Sequence, residues 1–425
     1  MLRIVAASLG FAMTIEKPAC GAVRAGGMLP GMPPVDRDAF LLDPDVVFLN
    51  HGSFGACPKT VLEQQRELQA RMEREPVHFY MRVLPELLDT ARMRLSELVR
   101  AEPADLVFVR NATSAVNAVL SSLKLAPGDE VVTTNHAYRA CHNALAHFAA
   151  RSGARVVVAR VPFPIRSAQE VVRSVESVLS DRSRVLLLDH ITSPTALVFP
   201  VREIVALAEA RGVVTLVDGA HAPGMVPLDL GSLGASYYTG NLHKWICAPK
   251  GAAFLYARRD RQEGLHPAVI SHGLSSSRPR SRYWEEFDWC GTDDFSPALC
   301  VPHALDFLEA RPGGLAEVMR ENHRLALTGR DILLQALSQE PAAPDEMLGS
   351  MATVQLPLSG PALGSAFDVD PMQTQLFEQH RVEVPIFSFP EPGARCLRIS
   401  AQIYNREAEY RALASALSAL LAESP

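Results

Sequence analysis

Between residues 106 and 218, short and continuously apolar runs alternate with amphipathic stretches. The runs LVFV (106–109), EVVTT (130–134), RVVVARV (155–161), RVLLLDH (184–190) and VVTLVD (213–218) are separated by helically spaced segments that begin at Ser114 and cover 138–151, 168–180 and 201–211. Runs this apolar suit strands buried on both faces, joined by helical crossovers that keep successive strands parallel. The pattern predicts an α/β fold, a mostly parallel sheet covered by helices. Ligands on such a sheet sit outside the carboxyl ends of its strands, so polar residues at those ends are candidates for one common site.

The flanks read differently. Gly and Pro punctuate GGMLPGMPPVD (26–36), which puts the start of order near Phe40. VVFLNHGSFG (46–55) reads as a short strand entering a Gly-rich loop, and 58–75 and 83–100 as amphipathic helices, with Pro85 in a first turn. Beyond about residue 295 come a long helical stretch over 297–338, a strand in SMATVQLPL (350–358), a helix near 370–380, strands in EVPIF (383–387) and RCLRIS (395–400), and a last helix over 406–422. We therefore expect a disordered extension over 1–39, a large ligand-binding domain over 40–295 and a smaller α+β domain over 296–425.

Composition narrows the function classes. A chain of 425 residues, 48% hydrophobic and 21% charged, buries a core large enough for two domains. A net charge of −6 with interspersed signs offers no basic stripe for nucleic acid. No run approaches the roughly 20 apolar residues of a membrane span. MLRIVAASLGFAM has a short apolar run, but Glu16 and Lys17 follow it without a clean cleavage pattern, so a disordered extension or an over-long start is expected rather than a signal peptide. Seven cysteines (Cys20, Cys57, Cys141, Cys247, Cys290, Cys300, Cys396) are scattered without a CxxC pair. Their odd number and spacing read as reduced thiols of a cytoplasmic protein, mostly core residues.

Two strand ends carry the most specific chemistry. GVVTLVDGAH ends an apolar run in Asp218, and ASYYTGNLHKW ends the next in Lys244. An amine that can hold a carbonyl cofactor as a Schiff base, and a carboxylate that keeps a pyridine nitrogen protonated, are the two groups pyridoxal phosphate (PLP) needs. Taken singly, Asp218 is a turn or cap and Lys244 a solvated surface lysine; their joint occurrence on successive strand ends favours the cofactor.

Other strand ends add to this. Asn111, Ala112, Thr113 and Ser114 follow LVFVR and open a helix, offering N–H groups, hydroxyls and a helix dipole to a phosphate. TTNHAY places His136 and Tyr138 where a flat side chain stacks on a ring, with capping and packing as the alternative. DHITSPT places Ser193 within reach of the ring hydroxyl, as does His221, three residues after Asp218. Arg398, inside the apolar strand RCLRIS, needs an anionic partner, either a substrate carboxylate or a Glu or Asp of the chain.

With these residues in place, the chain resembles the fold type I PLP enzymes of the class V aminotransferase family, and within it the isopenicillin N epimerase-like branch. LNHGSFG, FVRNATSAVN, HITSPTAL, VDGAHAPGMVPLDL, GNLHKW, CGTDDFSP and CLRISAQIYN carry the likeness, from about residue 40 to the C-terminus. The resemblance implies Lys244 as Schiff-base lysine, Asp218 as pyridinium partner, His221 and Ser193 at the ring hydroxyl, Thr113, Asn241 and His243 at the phosphate, and Arg398 at the substrate carboxylate. His136 matches the stacking His of the cysteine desulfurase relatives and Tyr138 an aromatic of the epimerase branch, and the choice between them stays open. Gly291 and Thr292 fall where family members reach the partner subunit's phosphate, which implies a homodimer with shared active sites.

The chemistry implied is proton removal from the α-carbon of an amino-acid-like substrate, with Lys244 as base and acid. Epimerisation needs a second acid facing it, for which His51, Tyr80 or a water is nominated. Residues among 51–57, 76–85 and 273–290 are expected to shape the substrate's side-chain pocket. Cysteine desulfurases need a mobile-loop Cys, and VPIFSFPEPGA ahead of Arg398 has none; Cys396 reads as core. Carbon–sulfur lyases of the same branch need no such thiol and remain the alternative. Transamination is less usual there, and Lys244, Asp218 and Arg398 together argue against a non-catalytic binding module.

Overall fold

The computed structural model describes residues 37–361 and 367–423, so the expectation for the N-terminal extension lies, up to residue 36, outside the described residues. The strands are β1 (Val47–Phe48), β2 (Leu106–Val109), β3 (Glu130–Thr134), β4 (Arg155–Ala159), β5 (Ser183–Asp189), β6 (Val214–Asp218), β7 (Tyr237–Asn241), β8 (Ala253–Ala257), β9 (Met351–Gln355), β10 (Val382–Glu383), β11 (Ile386–Ser388) and β12 (Arg395–Ser400). Seven of them form one sheet in the order β2-β8-β7-β6-β5-β3-β4. Its pairings are parallel except that β8 runs antiparallel to both β7 and β2.

The predicted alternation accounts for this sheet. Helices Ala112–Ser122, Arg139–Ser152, Ala168–Glu176 and Val201–Ala210 follow β2, β3, β4 and β5. Val116, Val119, Val131, Leu145, Leu187 and Leu216 meet in one core cluster. Each such side chain contributes roughly 1.5–3 kcal/mol relative to exposure. Because the central strands are parallel, their carboxyl ends all open on the same edge of the sheet, which brings Asp189, Asp218 and the segment after Asn241 together.

The C-terminal third carries a three-stranded antiparallel sheet, β11-β12-β9, with Arg398 opposite Thr353. A short parallel pair, β1 with β10, ties residues 47–48 to 382–383.

Three segments depart from expectation. The LNHGSFG stretch contains a helical turn, His51–Phe54, rather than a simple loop. The 297–338 stretch is three helices, Ser296–Leu299, Val301–Glu309 and Gly314–Leu337. Gly313 and Gly314, at φ 77° and 65°, break it before the longest helix. EVPIF divides into the end of β10 and the start of β11, because Pro385 between them has no N–H to give a ladder. Gly55, at φ 72°, turns the chain so closely onto the lysine loop that a Cβ there would lie 2.1 Å from the His243 carbonyl oxygen.

Candidate active site

Nineteen residues line a cavity of about 810 Å³ at the carboxyl ends of β5, β6 and β7, among them Thr113, Ser114, Tyr138, Asp189, Ser193, Asp218, His221, Asn241, His243 and Lys244. Nine of the side chains nominated from sequence therefore share one cavity. Lys244 is 9% exposed, and its Nζ lies 3.2 Å from His221 Nε2. Burial lowers the amine's pKa to about 7, with the Arg398 charge adding to that and Asp218 opposing it.

Asp218 is held from two sides. Its Oδ1 accepts the Ala220 N–H at 3.0 Å and its Oδ2 the Cys141 thiol at 3.0 Å. Gly219 has no room for a side chain, since a Cβ would lie 2.2 Å from the Tyr238 hydroxyl. His221 is 3% exposed, and its Nδ1 has no partner. Burial first, then Lys244 and Arg398, hold its imidazole well below the usual range and so uncharged.

The helix Ala112–Ser122 opens onto the cavity. Asn111 caps it, its Oδ1 accepting the Ser114 N–H at 2.8 Å, and Asn241 Oδ1 accepts the Ala112 N–H at 2.9 Å. His243 gives Nδ1 to the Ala252 carbonyl at 3.0 Å, which leaves Nε2 for a ligand. Lys250 also lines the cavity, its Nζ donating to the Gly55 carbonyl at 2.8 Å. This end is rich in donors, as an anion requires.

Arg398 borders the cavity through two of its lining residues, Ser193 and Ser53. It is 1% exposed, and Nη1 donates to the Ser193 carbonyl at 2.6 Å and to Ser193 Oγ at 3.1 Å, while Nη2 donates to Ser53 Oγ at 3.1 Å. Nε has no partner. The guanidinium stands 5.1 Å over the Phe387 ring, and no described Asp or Glu forms an ion pair with it, so the internal salt bridge considered from sequence is not made. A buried cation resting on neutral oxygens is short of an anion. Ser193, committed to Arg398 as acceptor, keeps its own O–H to donate.

Four nominated residues are placed elsewhere. His136 is fully buried among Phe163, Phe199 and Phe389, with Nδ1 on Thr195 Oγ1 at 2.7 Å and Nε2 on the Val161 carbonyl at 3.1 Å. It packs in the core, and Tyr138, 44% exposed, is the one of the two that lines the cavity. His51 gives both ring nitrogens away, Nδ1 to Tyr404 at 2.7 Å and Nε2 to the Lys244 carbonyl at 2.9 Å. Burial drives its pKa down to about 3. It supports the lysine loop from beneath and does not face the cavity. Tyr80 donates to the Asp293 carbonyl at 2.9 Å and lines a separate cavity of about 480 Å³ with Met81, His272, Gly273 and Arg280. Of the segments expected to shape the substrate pocket, only the 51–57 turn reaches the main cavity, through Ser53 and Phe54. Thr292 is exposed and is not among the main cavity's residues.

Sequence reasoning passed over Cys141 and Asp189. Cys141 sits on a helix and reads as a small core residue. Asp189 ends an apolar run just as Asp218 does, so the signal that found one was present for the other.

The donor set fits PLP: an amine beside a neutral imidazole, a carboxyl that accepts from two donors, an orphaned His221 nitrogen, and a capped helix N-terminus. A family model for aminotransferase class-V matches residues 48–413. The chain is 36% identical over 400 residues to an isopenicillin N epimerase of Amycolatopsis lactamdurans, covering 90% of this chain and 97% of that protein. It is 34% identical over 400 residues to a probable chloroplastic L-cysteine desulfhydrase of Arabidopsis thaliana, covering 89% and 84%. Among solved structures, a mutant of C-DES with glycine covalently linked to its PLP cofactor superposes with a TM-score of 0.74 at 21% identity, covering 90% of this chain and 99% of that one. The cysteine desulfurase CsdA of Escherichia coli superposes at 0.71, with 20% identity and coverages of 91% and 97%.

Proposed function

The chain belongs to the class V aminotransferase family, and on that premise we propose an isopenicillin N epimerase-like activity, in which a proton is taken from and returned to the α-carbon of an amino-acid-containing substrate. It is an enzyme, and its cofactor is pyridoxal phosphate. When bound, that group supplies the electron sink that makes a substrate's Cα–H acidic. The observation that carries the reading is that Lys244 and Asp218 line one cavity while Arg398, without an acidic partner among the described residues, binds Ser193 and Ser53 in its wall.

The residues divide the work. Lys244, uncharged above about pH 7, takes the Cα proton, and His221 Nε2 steadies its amine. Asp218 would face the ring nitrogen as the anion that keeps it protonated. Thr113, Ser114, the free Nε2 of His243, the Asn241 amide N–H groups and the helix N-terminus would hold the phosphate. Tyr138, at the end of β3, would cover the ring, while Lys244 follows β7 on the other flank of Asp218. Arg398 takes the substrate carboxylate bidentately. Arg398→Gln is expected to raise KM roughly 10- to 150-fold, the worth of charge-assisted bonds of about 1.5–3 kcal/mol, with a smaller change in kcat. Steady-state kinetics check this, and a KM within twofold of wild type would remove Arg398 from the substrate site.

A second reading, carbon–sulfur lyase, is favoured by the placement of His51 and Tyr80 away from the cavity. Epimerisation then relies on Tyr138 or solvent as second acid, whereas elimination needs only Lys244 at Cα. Either way Cys396, 0% exposed with its thiol on the Phe389 carbonyl, is no mobile persulfide acceptor. Incubation with candidate amino acids in deuterated water separates the two. Deuterium at Cα with conversion to the other enantiomer supports epimerisation; ammonia with a keto acid rejects it in favour of elimination.

We also read the protein as a homodimer in which Gly291 and Thr292 reach the partner's phosphate site, supported by the exposure of Thr292. A reducing, cytoplasmic setting is supported by the free thiols of the six described cysteines.

A further inference from the structure

Asp189 is the last residue of β5 and stands in register with Asp218 on the adjacent parallel strand. Both side chains are buried, 2% and 3% exposed, and both line the cavity. Their environments differ. Asp218 has two donors of its own and the Lys244 charge nearby. Asp189 has one donor, the Tyr138 backbone N–H on Oδ2 at 3.1 Å, while Oδ1 is buried without a partner. No described Lys, Arg or His forms an ion pair with it. The ionisable groups whose charge reaches it are Asp218 from β6 and Cys141 from the helix after β3, both repulsive when ionised.

Two neighbouring buried carboxyls do not both ionise when one cation serves only one of them. We propose that Asp189 is a neutral carboxylic acid in the folded enzyme, a positioning residue that anchors Tyr138 with one oxygen and presents its O–H to the bound cofactor beside Asp218. The inference rests on the PLP reading of the cavity. It explains why a second acid is tolerated here: the shared charge stays on Asp218, and Asp189 adds a donor at the same edge. Burial, and then the Asp218 charge, raise its pKa well above the carboxylate range.

A neutral buried acid has a thermodynamic signature. With the folded pKa above the unfolded value, the folded state binds the extra proton, so wild type loses stability as pH rises above about 4, the ordinary carboxylate value, towards the folded pKa. Asp189→Asn has no such proton to bind. Its Tm relative to wild type should climb by on the order of 3 °C between pH 5 and pH 8, read on the full-length protein as purified. In turnover, Asp189→Asn, which keeps an acceptor for Tyr138 and a donor for the cavity, should show a kcat roughly tenfold or more above that of Asp189→Leu. A Tm difference flat with pH, or one of opposite sign, overturns the neutral acid, as does an Asn variant no better than Leu. If wild type shows no visible cofactor band, the cofactor reading fails instead, and the Tm series still reports on the Asp189 proton.

Discussion

Lys244→Ala is expected to lose turnover by roughly 10⁴-fold or more, since it removes both the covalent anchor and the base, and proton transfer alone is worth about 10²–10⁴. Purified wild type should show a visible band that borohydride abolishes, and the variant should lack it. Among the described residues no other amine can stand in. Lys250 lines the same cavity, but its Nζ is tied to the Gly55 carbonyl. The amine's state gives this expectation a pH dependence. Burial, with the Arg398 charge behind it, puts the Lys244 pKa at about 7, so the amine is charged and unreactive below that pH and nucleophilic above it. Cofactor capture by stripped wild-type protein should therefore accelerate as pH rises through about 7 and then level off. Stopped-flow absorbance reads the rate. A Lys244→Ala protein that keeps the band and the activity would falsify the whole site.

The parts of this enzyme that were legible in sequence are those set by local pattern. Apolar runs such as LVFV and EVVTT became β2 and β3 with their predicted ends, because a strand buried on both faces admits few other residues. The strand-end rule then gathered Thr113, Ser193, Asp218, His221 and Lys244 without any tertiary information, since parallel strands necessarily open on one edge. What was not legible depends on partners far along the chain. His136 and Tyr138 are two residues apart, and which of them faces the cavity is decided by Phe163, Phe199 and Phe389, which enclose His136. Sequence offers His51 as a candidate second acid facing Lys244, with no means of showing where its ring points. Its side chain is drawn away by Tyr404 and by the Lys244 carbonyl, contacts 353 and 193 positions distant. Tyr80 was misplaced for the same reason, its hydroxyl being bound to the Asp293 carbonyl.

Asp218→Asn is the sharper test of the electrostatics, because it changes one charge and almost no volume. In wild type, burial raises the Asp218 pKa, while the Cys141 thiol, the Ala220 N–H and the Lys244 charge pull it back. Both local partners are donors, so the two oxygens are wanted as acceptors. An Asn satisfies one of them and turns its NH₂ towards the other, donor against donor. It also leaves nothing to hold the ring nitrogen positive. Loss of a preorganised charge of this kind costs roughly 10²–10³ in kcat, and the same factor should appear in the rate of deuterium exchange at the substrate's Cα, which isolates the proton step from later ones. Stability should move differently from rate. Removing the charge also removes the cost of burying it, so the cost of the mismatched NH₂ is partly offset, and the variant's Tm should fall far less than an unpaired buried donor alone implies. An Asp218→Asn enzyme that exchanges the Cα proton at the wild-type rate would show that the cavity acidifies its substrate without this carboxylate, and the pairing of Asp218 with Lys244 would lose its meaning.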